Sequence, residues 1–222
     1  MNRKLKKVGK YGSLETCNDE IISKDCAIEV FNYLVVNCPI EGYTYKILES
    51  GVPEYLPYKR DCPKDYETFD DMKKHKVQPD IPCIILQEDK NPDNFYVILA
   101  GDDKFQETEG NAIERMGKNH RSFFEEKMCK NIDIVPYVLF CSGGAFLNEN
   151  KEFSSYFASK FRQMMPYENT WDYSKPHSSY RRRWNLVYVQ RERFSFEEKL
   201  RILKNVALQS VSYYSELLKD IT

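Results

Sequence analysis

Along this chain the apolar positions change period from block to block, and the changes mark its elements. Residues 21–37, IISKDCAIEVFNYLVVN, place Ile22, Cys26, Val30, Phe31 and Leu34 three and four apart. That spacing predicts a helix with one buried face, and Cys38-Pro39 predicts its end. Residues 1–20 are polar and are expected to be loosely held. Residues 42–66, rich in Tyr, Pro and Gly, predict loop with room for a short strand. ETFDDMKKHK (67–76) predicts a short charged helix or turn.

From residue 81 the texture changes. IPCIILQ (81–87) and FYVILAG (95–101) are short apolar runs, and EDKNPDN (88–94) between them is rich in turn-forming residues. The set predicts a β-hairpin whose second strand lies in the centre of a sheet. Residues 109–130 then predict a helix, with Ile113, Met116, His120, Phe123, Phe124 and Met128 on one face. IVPYVLFC (134–141) reads as a buried strand, ended by Gly143-Gly144. EFSSYFASKFRQMM (152–165) reads as a helix and NLVYVQ (185–190) as a strand. A long final helix is expected over 195–220, capped by Ser195 with Glu197 and Glu198 in its first turn. The succession predicts an α/β fold, a central mixed β-sheet flanked by helices.

Composition narrows the function classes. With 33 Lys and Arg against 34 Asp and Glu, the chain is no polycation, so a nucleic-acid surface would have to be a local patch. Seven cysteines at 17, 26, 38, 62, 83, 129 and 141 form no CxxC pair and predict reduced, mostly buried thiols. The histidines at 75, 120 and 177 lack metal-ligand spacing. No apolar run nears the roughly 20 residues that span a bilayer. The basic start MNRKLKKVGK is followed by no apolar segment, so it does not read as a secretory signal. A cytoplasmic protein is expected.

The chemistry gathers where the hairpin strands meet. Pro79-Asp80 opens the first strand, and Asp102-Asp103-Lys104 closes the second. An antiparallel hairpin sets the start of one strand beside the end of the other, so Asp80 and Asp102 can meet across 22 positions. Facing carboxylates repel unless a cation lies between them. Mg²⁺ suits such a pair, being held by one or two carboxylates with phosphate oxygens and waters. Lys104 stands two residues after Asp102, on the same face of an extended strand, where an ammonium can orient a water and offset phosphate charge. Asp103 points to the opposite face and is the weaker ligand candidate. On spacing alone, acids and lysines at strand ends ordinarily just face water; the hairpin favours the catalytic reading.

PD followed by DxK after a hairpin resembles the PD-(D/E)xK nuclease superfamily. GNAIER (110–115), KN (118–119) and PYVLF (136–140) follow in an order similar to that of EcoRI-like type II restriction endonucleases. The similarity runs from about residue 78 to 147. It implies a restriction-endonuclease-like core and one nuclease domain over 1–222, with a catalytic and recognition core about 78–147. It further implies a homodimer that uses Mg²⁺ to cut a short palindrome in double-stranded DNA, leaving 5′-phosphate ends, with a cognate DNA methyltransferase as partner. Asp80 and Asp102 become metal ligands and Lys104 the water-orienting base. Asp102 stands where the family usually has Glu, a difference of one methylene.

Gly110, Asn111, Ala112, Glu114 and Arg115 match the family's reading segment and suggest an AATT centre. Asn and Arg pair with purine edges, and Glu accepts from an exocyclic amine. Only FQETE (105–109) separates Lys104 from this segment, so a DNA-wrapping arm is expected to be reduced. Lys118 is a candidate phosphate contact, and Lys160 and Arg162 are candidates for reading the outer base pair. Arg181, Arg182 and Arg183 cluster beside Trp184 and suit phosphate contact as well as a solvated loop. Two further readings remain: a catalytically inactive DNA-binding relative, and a PD-(D/E)xK repair or resolvase nuclease without sequence specificity.

Overall fold

The computed structural model describes residues 14–48, 79–92, 94–108, 134–164 and 182–219. In chain order they form helix α1 (Leu14–Asn37), strands β1 (Tyr43–Leu48), β2 (Ile81–Glu88), β3 (Phe95–Phe105) and β4 (Ile134–Ser142), helix α2 (Ser155–Met164), strand β5 (Arg182–Gln190) and helix α3 (Phe196–Lys219). The expected short charged element at 67–76 and the helix at 109–130 lie outside the described residues. Residues 14–20, expected to be loose, are instead the first turns of α1. Asp19 and Ser23 on those turns are buried against the sheet, and that tertiary contact overrides the polar local sequence.

The five strands form one mixed sheet in the order β1-β2-β3-β4-β5. β1, β2 and β3 pair antiparallel, whereas β3, β4 and β5 pair parallel. β3 therefore sits in the middle with a partner on each side. The acids and lysine expected to close β3 lie within it. Asp102, Asp103 and Lys104 pair with Leu139, Phe140 and Cys141 of β4, and this parallel ladder carries the strand on to Phe105. Gly101 lets the two backbones close up, since a Cβ there would collide with the carbonyl oxygen of Val138. β5 begins at Arg182 rather than 185, so the backbones of Arg182 and Arg183 pair with Ile134 and Val135.

Helices α1 and α3 pack on one face of the sheet. Cys26, Val30 and Leu34 of α1, with Leu203, Val206, Ala207 and Tyr214 of α3, close over Ile84, Leu86, Ile98, Val138 and Phe140. The other face buries Cys83, Ile85, Val97, Tyr137, Leu139 and Cys141, with Phe146 and with Phe157 of α2. Each buried Val, Leu, Ile or Phe side chain among these contributes about 1.5–3 kcal/mol. α3 starts with a reciprocal cap. The Glu198 amide donates to Ser195 Oγ (3.2 Å), and the Ser195 amide donates to Glu198 Oε2 (2.8 Å). Cys26, Cys38, Cys83 and Cys141 are free thiols, as the scattered cysteines predict. Among the described residues no helix is long and apolar enough to cross a membrane.

The β2–β3 pairing shifts register twice, between Ile81 and Ile84 and between Ile84 and Ile85, and the second shift decides which faces Asp102 and Asp103 take. Ile85 stands opposite Val97, but Ile84 stands opposite Leu99, so β3 carries an extra residue, Ile98. Before the bulge, Phe95 and Val97 point to the α2 face; after it, Ala100 does, while Ile98 and Leu99 both belong to the α1–α3 face. The phase change sends Asp102 and Lys104 to the α2 face and Asp103 to the helices. Unbroken alternation would have reversed them. β-bulges recur beside functional sites because they re-aim side chains in this way.

Candidate active site

Asp80 lies at the bend just before β2, and Asp102 lies on β3 beside it. Each carboxylate is held by the other strand's backbone. The Asp80 amide donates to Asp102 Oδ1 (3.2 Å), and the Asp103 amide donates to Asp80 Oδ2 (3.2 Å). The Lys104 ammonium donates to Asp80 Oδ2 as an ion pair. Two acids and a base thus converge at one end of the hairpin, as the sequence predicts. Asp102 is fully buried, whereas the side chains of Lys104 and Asp80 keep 15% and 14% of their surface exposed, which leaves this pair open to solvent.

The electrostatics follow from that packing. Burial, then the neighbouring charge of Asp80, pushes the Asp102 carboxyl up to about 7, against the opposing pull of Lys104 and of donors from Tyr137 and Asp80. Burial works against the Lys104 ammonium, but Asp80 and Asp102 together outweigh it and hold its pKa above the usual lysine range. Lys104 is therefore held as a charged ammonium, hydrogen-bonded to Asp80, in this state. Acting as a base requires that Asp80 release it.

Two residues, one in contact with Asp102 and one nearby, escaped the sequence reading. Tyr137 of β4 donates its hydroxyl to Asp102 Oδ2 (2.8 Å), and both groups are buried. Glu20 of α1 carries a carboxyl raised by partial burial, then by the charge of Asp80. It brings a third acid to the electrostatic neighbourhood. The signal for Glu20 was the Asp19-Glu20 pair directly before the apolar helical pattern. The signal for Tyr137 was a hydroxyl-bearing residue in an otherwise apolar strand.

Asp103 takes a structural part on the opposite face. It forms an ion pair with Lys199 of α3 and accepts a hydrogen bond from Ser23 of α1, all of them buried. Burial nevertheless raises its carboxyl above the ordinary range despite these partners. Beside this pair Arg193 binds Asp19, and its guanidinium lies 3.6 Å from the centre of the Phe105 ring. The tip of β3 is thereby tied to both helices.

Gly110, Asn111, Ala112, Glu114, Arg115, Lys118 and Arg181 lie outside the described residues. Lys160 and Arg162 fall on α2, and Arg182 and Arg183 on β5, by their backbones alone. Among the described residues no group of three or more His, Cys, Asp or Glu forms a ready cation cage. A hard cation held by two carboxylates with water and phosphate needs none. Comparison of the chain with protein-family models and with curated proteins found no match.

Proposed function

We propose that the chain is a Mg²⁺-dependent, sequence-specific endonuclease for double-stranded DNA, an EcoRI-like type II restriction enzyme built on a PD-(D/E)xK core. One observation carries the reading. Asp80, Asp102 and Lys104 meet at the end of the β2–β3 hairpin, with carboxylates and backbones cross-bonded at 3.2 Å. Holding the buried Asp102 carboxylate beside the partly exposed one of Asp80 is costly, and a divalent cation relieves that cost directly. The donor set therefore fits Mg²⁺, with Asp80 and Asp102 as its protein ligands. The chemistry that Mg²⁺ supplies when bound is polarisation of the scissile phosphate and easier formation of hydroxide from water.

The chain's own groups supply positioning and charge. Asp102 is held rigidly by Tyr137 and by the Asp80 amide, so its carboxylate is pre-aimed. Lys104, freed from Asp80, orients the attacking water and offsets the negative charge that builds on phosphorus. Water attacks the scissile phosphate in line, the bond from phosphorus to the 3′ oxygen breaks, and that oxygen leaves and takes up a proton, giving a 5′-phosphate and a 3′-hydroxyl. The segment Gly110–Arg115, through its family resemblance, supplies reading of an AATT centre, and a homodimer would match the palindrome. A cognate methyltransferase would guard the host site.

Sequencing the ends of genomic DNA digested with the purified protein tests this. Mg²⁺-dependent ends at one AATT-containing palindrome are expected. A smear of unrelated ends would favour a non-specific nuclease, and specific binding without cutting an inactive relative. Asp80→Ala should abolish cleavage and leave specific binding measurable.

A further inference from the structure

We propose that Tyr137 is the positioning residue for Asp102, acting through its hydroxyl to fix the carboxylate that would hold the cation. The inference rests on reading Asp102 as a metal ligand. Tyr137 sits on β4 opposite Ala100, two residues from Asp102 along the paired strand. Its hydroxyl lies 2.8 Å from Asp102 Oδ2, in a site with no exposed surface on either residue. The Asp80 amide takes Oδ1 at 3.2 Å. Each carboxylate oxygen thus has its own donor, one from β4 and one from the bend before β2, and rotation of the carboxyl would break both bonds at once. Burial makes that loss expensive, since a buried acceptor deprived of its donor costs more than the bond itself returns.

The bulge at Ile98 is what makes the pairing possible, because only the shifted phase puts Asp102 on the face that carries Tyr137. Partners that hydrogen-bond a ligand's remaining atoms typically alter metal affinity 10–100-fold when removed. Tyr137→Phe deletes the donor and keeps the ring that packs among Cys83, Ile85 and Leu139.

The test is titration of the full, DNA-free chain with Mg²⁺ by isothermal calorimetry, for wild type, Asp80→Ala and Tyr137→Phe. Wild type should bind, Asp80→Ala should lose the site, and Tyr137→Phe should bind about tenfold or more weakly. Equal affinity in Tyr137→Phe and wild type overturns the positioning role while leaving the nuclease reading intact. No binding by wild type overturns both. A thermal-unfolding cycle covers the case in which Tyr137→Phe is poorly folded. In an Asp102→Ala background the loss of melting temperature caused by Tyr137→Phe should vanish. A loss of the same size in both backgrounds would mean that the hydroxyl serves another group, and would overturn the proposal.

Discussion

Replacing Lys199 by methionine keeps the length of the side chain and removes its charge. In the native protein that ammonium is buried against Asp103, with the Ser23 hydroxyl completing the cluster. Asp103 would be left as an uncompensated acid between β3, α1 and α3. Breaking a buried pair from one side costs about 3–5 kcal/mol. For a chain of this size each kcal/mol lowers the melting temperature by about 2–4 °C, so a drop of about 6–20 °C is expected. The cost should depend on pH, and its sign follows from Asp103. Its folded-state pKa is already raised by burial and rises further without Lys199. The destabilisation should therefore be smallest near pH 4, where about half of the unfolded acid is also protonated, and grow as pH rises. Urea unfolding at pH 4, 6 and 8 measures this directly. Pairing Lys199→Met with Asp103→Leu should recover most of the loss, because the charge left unpaired is then gone. A loss below about 1 kcal/mol at pH 8, or one independent of pH, would show that the pair does not hold the strand tip to the helices.

Three further outcomes follow from the same geometry. Raising the Asp102 carboxyl from 3.8 to about 7 gives stability that is present below pH 4 and lost as pH climbs through 7. The change is up to about 4 kcal/mol. Glu20 and Asp103, also raised, push the same way. In EDTA, unfolding free energy should fall from pH 4 to 7, Asp102→Asn should flatten the fall and Mg²⁺ should restore stability at pH 7; a flat wild-type profile contradicts this. Gly101→Ala should cost about 1–3 kcal/mol by forcing β3 from β4, and should depress cleavage because Asp102 is next in line. Wild-type stability and activity would refute that close approach. Arg115→Ala should weaken discrimination at one inner base pair by about 1–3 kcal/mol; unchanged preference for AATT removes Arg115 from base reading.

The hairpin and the meeting of Asp80 with Asp102 were legible in the sequence because two short apolar runs flanked a strong turn. Ser195 and the final helix were legible because capping chemistry is local. The directions of β4 and β5 were not, since parallel pairing depends on the path of long connections that leave no local mark. The bulge at Ile98 was hidden for a related reason. β3 is apolar and buried on both faces through residues 95–100, so no alternation existed from which a phase change could be read. The shared face of Asp102 and Lys104 followed from their spacing of two. That this face carries Tyr137 rather than Lys199 depended on the bulge. Lys199 is 96 positions from Asp103, and Glu20 lies 60 before Asp80, so both partnerships exist only in the folded chain.

Anomalous diffraction from crystals grown with Mn²⁺, a cation that shares the oxygen preference of Mg²⁺, tests the shared ion most directly. The account predicts a peak about 2.1 Å from a carboxylate oxygen of each of Asp80 and Asp102, absent in Asp80→Ala. A peak bound to only one of the two, or none at saturating Mn²⁺, would contradict it.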